Sequence, residues 1–402
     1  MFRKIVKSAV VLFALIGLMF TGVFFAIRSG WTNVPGQVDK NDDYFKKLSV
    51  TTLLQTKDSA GKNTMKESAN ATKEDFRLND IGIASLQENM KKLDELKKIR
   101  TKNYCKVGVI GQNYPSNAAR IISVAEKTRN DTIVTKAIAA AELAIMQQDQ
   151  SIKTKLEECE DRLSINDDFF VLKNQYLEVK GTDAYYWTQT PEWASIKEAT
   201  LKDKEAILRA SEAAGVEPRL IVSNMIVEQL RLFNSQRQVF KQYFEPLKIL
   251  CSANKISFGV MGIKEATAIQ IENNLKDRQS DYYLGDEFTQ LLDYPAQIQD
   301  SIDSQRFKRL TDEKDHYYSY LYGGLYLKQL ITQWQKNGYS IDWRPEIIGT
   351  LYNVGFPQSH PNAQPKTGGS VIQVGEREYT FGSLAYEFYY SGELIDDFPY
   401  QF

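Results

Sequence analysis

The segment RLIVSNMIVEQLRLF, residues 219–233, decides the fold. Its apolar residues recur every three or four positions, the period of an α-helix, and Glu228 shares one face with Met225 and Leu232. Valine, isoleucine and leucine also occupy the neighbouring faces, which is typical of a central, buried helix. Pro218 stands just before the segment, where a proline suits the first helical turn. The sequence therefore predicts a mainly α fold built around this helix.

Glu228 is a carboxylate on a face that is expected to pack against other helices. An ionised carboxylate that is buried without a cation costs several kcal/mol, and buried carboxyl groups respond by holding their proton to a higher pH. A general acid needs a proton available near neutral pH. The alternative is a structural ion pair with Arg231 or Arg237, and the helix taken alone favours this alternative.

Composition excludes several classes of function. The chain has 402 residues, of which 43% are hydrophobic and 25% charged, as in globular proteins. A net charge of −1 gives no overall attraction to nucleic acid, so we predict no nucleic-acid partner. Two histidines and three cysteines, widely spaced, favour neither a zinc cluster nor a histidine-based nucleophile. We therefore expect no metal and no cofactor, and place the chemistry among carboxylates and aromatic side chains.

The N-terminal part contains a predicted transmembrane helix. Residues 8–27, SAVVLFALIGLMFTGVFFAI, carry no charge and follow Arg3, Lys4 and Lys7. At ~1.5 Å per residue such a run spans a hydrocarbon core of ~30 Å. The preceding cations predict that the N-terminus stays in the cytoplasm and that the rest of the chain is extracytoplasmic, on the periplasmic or cell-wall side. We expect a single-pass anchor in the cytoplasmic membrane, with a cleaved signal peptide as the alternative.

Four segments follow from changes in composition and periodicity. They are the anchor (1–30), a polar linker (31–76), a helical stalk module (77–165) and a main domain (166–402). The helices of the module can serve as a partner-binding coiled coil or as a structural spacer, and the pattern favours the spacer. A protein partner bound through this module is therefore the less favoured interpretation.

The helical module also contains two of the three cysteines. We predict one helix over 117–147 with Ser116 as its N-cap, and a further helix through Leu156–Leu163. Cys105 and Cys159 flank helices that can lie antiparallel, so the two can form a disulfide if the chain is exported. Three free or buried thiols are the alternative.

The main domain is predicted to be helical with one small β-hairpin. The segment VIQVGEREYTF, residues 371–381, has two β-rich arms around Gly375, which is typical of a hairpin. Beyond the central helix, further helices are predicted over 264–276, 285–293, 304–336 (with a possible break) and 344–353.

Three short motifs follow Glu228 in a fixed order. The first is GVMGIKEATA at 259–268, the second YGGLYLKQL at 322–330, and the third LYNVG at 351–355. Taken singly, they are explained as a turn, a helix–helix contact and a capped helix end. Their order after a buried glutamate is much less expected by chance.

This order resembles the soluble, goose-lysozyme-like type of lytic transglycosylase, over about residues 200–356. That family has Glu-Ser at a helix end, then Gly-Leu-Met-Gln-Ile-Met-Pro-x-Thr-Ala, Gly-x-x-Tyr-Leu and Tyr-Asn-Ala-Gly. Glu228 stands at the position of the catalytic glutamate. The other matching residues are Gly259, Met261, Ile263, Thr267, Ala268, Gly323, Tyr326, Leu327, Tyr352, Asn353 and Gly355.

The chain departs from the family pattern at several positions. Gln229 replaces the serine after the glutamate, Gly262 replaces the glutamine of the motif at 259–268, and Lys264 with Glu265 replaces Met-Pro. These differences motivate two alternatives: a catalytically weak or inactive wall-binding scaffold, and a hydrolytic muramidase.

The resemblance implies a lysozyme-like α-helical catalytic domain that acts on peptidoglycan glycan strands. It implies cleavage of the β-1,4 bond between N-acetylmuramic acid and N-acetylglucosamine, with a 1,6-anhydro product and Glu228 as general acid and base. The substrate-binding residues that it implies are Gly259, Val260, Met261, Tyr326, Tyr352 and Asn353. The backbone of the first three would bind an acetamide group, and Tyr352 would bring its hydroxyl near Glu228. Asn353 would hold the local turn, and Tyr326 would pack beneath the site.

Overall fold

The computed structural model describes residue 91 and residues 102–159, 183–233, 257–295 and 301–401. This part of the chain is mainly helical and contains two antiparallel, two-stranded hairpins, so the predicted mainly α class is confirmed. It divides into two compact units. Unit 1 lies between Ser195 and Gly382, and unit 2 combines the residues up to Ala194 with those from Ser383 onward.

Several sequence-based predictions fall outside the described residues. These are the anchor at 8–27, the linker at 31–76 and the boundary between 165 and 166. In the ranges that the structure does describe, no helix has both the length and the hydropathy needed to cross a bilayer. The predicted main domain contributes residues to both units, because the residues from Ser383 onward belong to unit 2.

Within its described residues, unit 2 contains the helical residues 102–113, followed by α1 (Pro115–Thr128), α2 (Asp131–Met146) and α3 (Ser151–Glu158). The single helix predicted over 117–147 is wrong, because the chain breaks between α1 and α2. Arg129 adopts a left-handed φ of 49°, and the side-chain oxygen of Asn130 caps α2 by accepting hydrogen bonds from two backbone N–H groups. Ser116 is likewise not the N-cap of α1, which starts one residue earlier with Pro115.

The C-terminal residues supply an aromatic part of the unit 2 core. The Trp187 ring contacts Trp193 edge to face with 4.7 Å between centroids, and Phe388 lies 5.9 Å from Trp187. The Trp187 indole N–H donates to the buried carboxylate of Glu387 at 2.9 Å. The aromatic residues near the C-terminus are therefore part of the core.

A disulfide between Cys105 and Cys159 links the helical residues 102–113 to the end of α3. The two cysteines are separated by 54 positions in the sequence. The link therefore closes a long loop and restricts the unfolded chain of unit 2.

We expect the double substitution Cys105→Ser and Cys159→Ser to lower the free energy of unfolding of unit 2 by about 4 kcal/mol, because the unfolded chain gains loop entropy. Guanidinium denaturation of the full-length protein, followed by tryptophan fluorescence, measures the change. Cys251→Ser is the control, because it removes a cysteine outside this disulfide. An unchanged denaturation midpoint in the double variant would contradict the prediction.

Between residues 191 and 390 the chain forms eight further helices and four short strands among the described residues. They are α4 (Pro191–Lys202), α5 (Lys204–Ala214), α6 (Pro218–Phe233), β1 (Ser257–Phe258), β2 (Ile263–Lys264), α7 (Glu265–Lys276), α8 (Ile302–Thr311), α9 (Tyr317–Lys336), α10 (Pro345–Val354), β3 (Val371–Val374), β4 (Arg377–Thr380) and α11 (Phe381–Tyr390). β3 and β4 pair antiparallel with Val371 opposite Thr380, which confirms the predicted hairpin.

Two of the other helix predictions are modified by the structure. The stretch 304–336 is broken into α8 and α9, as the sequence allowed. The helix predicted over 285–293 is wrong, since the stretch holds only the 3-10 turn Asp286–Phe288. Leu292 is its only buried residue, so there is too little apolar contact to stabilise a longer helix.

Helix α6 is buried along nearly its whole length, as its sequence predicts; only Gln229, Arg231 and Phe233 are not buried. Helix α9 packs against α5, α6, α7 and α10. Gly324 permits this packing, because a Cβ there would lie 2.8 Å from the Ala214 Cβ and 3.1 Å from a methyl group of Ile221. The glycine thus brings α9 close to both α5 and α6.

A polar cluster joins the start of α9 to the junction of α4 and α5. Asp203 Oδ2 lies 2.6 Å from His316 Nδ1 and accepts a hydrogen bond from the Tyr320 hydroxyl at 2.8 Å. The hydrogen bond with Asp203 raises the pKa of His316, and Asp312 and Asp315 add to the effect, while burial opposes it. Burial by itself would raise the pKa of Asp203, but the hydrogen bonds from His316 and Tyr320 outweigh it and lower the pKa.

These shifts predict a pH-dependent contribution of His316 to stability. Protonated His316 stabilises unit 1 fully below about pH 6.5, the ordinary pKa of histidine, and the effect is lost as the pH rises through its higher folded pKa. The Asp203 contribution is present above the ordinary pKa of 3.8 and is lost as the pH falls through its lower folded pKa. Both contributions are therefore present between about pH 4 and 6.5.

We expect His316→Gln to lower the free energy of unfolding by up to about 1 kcal/mol at pH 5.5, since the pair is partly exposed and screened by solvent. The difference from wild type should shrink by pH 9. Urea denaturation at a series of pH values checks this. A difference that is the same at both pH values would show that the ion pair does not contribute.

Candidate active site

Glu228 lies in the C-terminal half of α6 and is only 3% exposed. Arg231, three residues further along the helix, donates to Glu228 Oε2 from Nη2 at 2.5 Å and from Nε at 3.0 Å. The structure therefore contains one of the two ion pairs that the sequence offered as an alternative to a lone buried acid. Arg237, the other candidate, is outside the described residues.

The first motif after Glu228 forms a tight turn between β1 and β2. Gly259 and Gly262 have φ angles of 65° and 63°, and the N–H of Gly262 donates to the carbonyl of Gly259 at 3.2 Å. A Cβ at Gly262 would lie 2.7 Å from Glu228 Oε2. The backbone of this turn thus lies directly against the carboxyl group, at the position where the family pattern has glutamine.

Three helices hold the turn in place. Gln229, next to the buried glutamate, donates from Nε2 to the carbonyl of Val260 at 2.6 Å. The Tyr352 hydroxyl of α10 donates to the carbonyl of Met261 at 2.7 Å, and the Met261 N–H donates to Ser319 Oγ of α9 at 3.4 Å. The segments that carry the motifs therefore meet around Glu228, although they are far apart in the sequence.

Gly323, in the second motif, leaves space on α9 for a side chain of the turn. A Cβ at Gly323 would lie 2.5 Å from the Met261 Cε, so the Met261 side chain packs directly on the helix backbone. Met261 is fully buried as a result. Its side chain fills the core, and its backbone N–H and carbonyl already bond to Ser319 and Tyr352, so the structure does not show a free group of Met261 for the predicted substrate contact.

Two buried tyrosines, one on α9 and one on α10, pack together next to the turn. Tyr326 and Tyr352 have ring centroids 5.0 Å apart, and Phe356 lies 4.6 Å from Tyr326. Burial raises the pKa of both tyrosines well above the ordinary value, and the charge of Glu228 raises them further. Both side chains remain neutral phenols, and the Tyr352 hydroxyl donates its hydrogen bond to the carbonyl of Met261. Tyr326 packs beneath this contact.

Asn353 faces a different part of unit 1. Its side-chain oxygen accepts hydrogen bonds from the backbone N–H of Ser370 at 2.7 Å and from the Ser370 hydroxyl at 2.9 Å. It connects the end of α10 to the segment that precedes β3. This contact organises the local chain, as the family resemblance implies, without bringing Asn353 to the carboxyl group.

A second carboxylate cluster lies on α7, and the sequence did not indicate its partners. Glu272 accepts hydrogen bonds from Arg306 at both oxygens, at 2.8 Å each, and further ones from Tyr294 and Tyr322. Burial by itself would raise the pKa of Glu272. The hydrogen bonds outweigh burial and lower the pKa, and the one from Arg306 has the largest effect among them. Glu272 is therefore a charged structural group.

Gly262 of the turn thus lies against Glu228, Tyr352 binds Met261 of the same turn and packs on Tyr326, and Asn353 contacts Ser370 instead. Within the described ranges, no group of three acidic, histidine or cysteine side chains is placed to hold a metal ion. No family model, curated protein or solved structure matches the chain.

The contact between Gly262 and Glu228 makes a specific prediction. Gly262→Ala places a methyl group against the carboxyl and imposes a left-handed φ on alanine, so it should destabilise unit 1 by more than 2 kcal/mol, an estimate on the order of the two penalties combined. Thermal and urea unfolding measure the loss.

Gly338→Ala is the matched control, because Gly338 has a φ of 83° and nothing within 4 Å of its Cβ position. It should show only the backbone penalty of about 1–2 kcal/mol. Equal losses in the two variants would mean that the turn does not press on Glu228.

Proposed function

We propose that the protein is a membrane-anchored lytic transglycosylase that cleaves the bond between N-acetylmuramic acid and N-acetylglucosamine in bacterial peptidoglycan. One observation carries the proposal. The buried carboxyl of Glu228 lies against the backbone of the Gly259–Gly262 turn, and the Tyr352 hydroxyl binds the same turn. Glu228, the turn and Tyr352 are far apart in the sequence, where their order resembles that of the family, and in the structure they lie next to one another.

In the proposed reaction, a single carboxyl group serves twice. Protonated Glu228 first donates its proton to the glycosidic oxygen as the bond to the muramyl C1 breaks, and the substrate's N-acetyl group stabilises the cationic centre. The ionised carboxylate then takes the proton of the muramyl C6 hydroxyl, whose oxygen bonds to C1. The products are a free 4-hydroxyl and a 1,6-anhydro ring, and the enzyme recovers its proton. Most glycosidases divide these tasks between two carboxyl groups.

Neighbouring groups have supporting parts in this reaction. The Gly259–Gly262 turn approaches the carboxyl without an intervening side chain, which leaves backbone groups close to the reacting bond. Tyr352 keeps the carbonyl of Met261 engaged and so sets the position of the turn. Arg231 has to leave Oε2 before that oxygen can carry a transferable proton, because two N–H donors occupy it.

The disulfide supports the proposed location. Disulfides persist in oxidising compartments outside the cytoplasm, and Cys105 and Cys159 are bonded. The apolar run at 8–27 would hold the protein in the cytoplasmic membrane with the disulfide and the site on the outer side. Peptidoglycan strands are found on that side.

A second candidate function is a non-catalytic wall-binding scaffold. The ion pair between Arg231 and Glu228 favours it, because a carboxylate that only balances a cation has a structural role. In this case the site would bind glycan without cleaving it. A hydrolytic muramidase is a further outcome that the product analysis separates.

Digestion of purified sacculi by the full-length protein in detergent tests the proposal. We expect 1,6-anhydro products from wild type, and at least ~100-fold less from Glu228→Gln, because that variant cannot donate a proton. Glu346→Gln is the matched control. Glu346 is also buried, at 1% exposure, and paired with an arginine, Arg344, at 3.0 Å.

Mass spectrometry of the released glycans distinguishes the alternatives. Products one water heavier would identify a hydrolase. No product from wild type, together with equal glycan binding by wild type and Glu228→Gln, would identify the scaffold. Equal loss of activity in Glu346→Gln would mean that the effect comes from removing a buried charge.

A further inference from the structure

We propose that Arg231 is the receptor for a carboxylate on the glycan, and that the arrival of this carboxylate releases Glu228 for proton transfer. The inference rests on the proposed function and specifies its substrate as an acidic amino-sugar strand. It is carried by the geometry of the ion pair between the two residues.

The two partners of the pair differ in access to solvent. The Arg231 side chain is 15% exposed, whereas that of Glu228 is 4% exposed. Arg231 is also one of only three residues of α6 that are not buried. Arg231 is therefore the more accessible partner of the pair.

The guanidinium also keeps part of its binding capacity. Arg231 uses Nε and Nη2, and both bind the same oxygen, Oε2. An arginine presents five N–H donors in a planar fork that fits a carboxylate through two parallel hydrogen bonds. Nη1 takes no part in the pair, so a second carboxylate can bind before the first is displaced.

A closed ion pair in the same unit makes the contrast clear. Arg306 contacts both oxygens of Glu272 and also Asp303, and Tyr294 and Tyr322 donate to the same glutamate. That cluster holds its arginine from several sides. Arg231 has Glu228 as its only ion-pair partner among the described residues, so exchange of partners breaks one pair and no network.

The exchange links recognition to the chemical step. While Oε2 accepts two hydrogen bonds from Arg231, it is a poor proton donor. A substrate carboxylate that takes over Arg231 keeps the cation paired and frees Oε2. Where no stem peptide is attached, N-acetylmuramic acid carries such a group on its lactyl ether, whereas a polymer of N-acetylglucosamine is neutral. The site would therefore bind the acidic strand and discriminate against the neutral one.

Binding measurements test this inference without turnover. The full-length protein in detergent is titrated by calorimetry with two tetrasaccharides. One alternates N-acetylglucosamine with N-acetylmuramic acid bearing a free carboxylate, and the other is chitotetraose. The Glu228→Gln variant is used as the background because it prevents cleavage and removes the competing carboxylate. It should bind the acidic glycan several-fold more tightly than wild type does, when wild type is measured before cleavage begins.

In that background, Arg231→Gln should lower the affinity for the acidic tetrasaccharide at least tenfold and leave the affinity for chitotetraose unchanged. Arg344→Gln is the control, because Arg344 pairs with Glu346 away from Glu228's turn, and it should alter neither affinity. Unfolding temperatures show whether each variant is folded. Arg231→Lys should recover part of the affinity, since it keeps the charge without the fork.

Three results would overturn the inference: equal loss of affinity for both glycans in Arg231→Gln, no loss for either, or no binding of the acidic glycan by the Glu228→Gln protein. Its failure is distinct from failure of the proposed function. Carboxylate-selective binding without anhydro products from wild type would support Arg231 as a carboxylate receptor and contradict the proposed enzymatic activity. Anhydro products from wild type, with no effect of Arg231→Gln on binding, would support the activity and contradict the receptor.

Discussion

Close approach of backbone at glycine positions is the constraint on which the centre of unit 1 depends. Gly262 lies against the Glu228 carboxyl, Gly323 against the Met261 side chain, and Gly324 against α5 and α6. Any side chain at these positions would occupy space that a neighbour already fills. The glycines thereby allow a buried helix, a tight turn and the long helix α9 to meet at one point.

Buried charge is handled differently in three places within the same unit. Glu272 is held by Arg306 and by two tyrosine hydroxyls. Glu346 binds Arg344 through Oε1, while its Oε2 is buried without a hydrogen-bond partner. Glu228 has a single cation on a single oxygen. Glu228 and Glu346 thus each bind one arginine through one oxygen, and Glu228 is the one that lies beside the glycine turn.

Departures from the family-like pattern acquire a physical meaning in the structure. Gln229, in place of a serine, donates to the Val260 carbonyl and ties α6 to the turn. Gly262, in place of a glutamine, permits the backbone to touch the carboxyl. The two residues act at the same contact, because Gln229 binds the turn and Gly262 leaves no side chain between the turn and the carboxyl.

The amino-acid sequence by itself determined the elements whose pattern is local. The period of apolar residues predicted α6 and its burial, the spacing of the β-rich arms predicted the β3–β4 hairpin, and α7 and α10 followed from helical patterns. Local patterns failed where one residue changed the backbone, as at Arg129, or where too few side chains were buried, as around Leu292. The sequence also singled out Glu228, the turn and Tyr352, and it named Arg231 as a possible partner.

Only the tertiary structure decided how these groups interact. It paired Glu228 with Arg231 rather than leaving the acid alone, directed the Tyr352 hydroxyl to Met261, and turned Asn353 toward Ser370. It also assembled the Arg306 cluster from residues on different elements. The physical reason is that a hydrogen bond or an ion pair depends on distances of a few tenths of an ångström between distant parts of the chain, and periodicity carries no information about them.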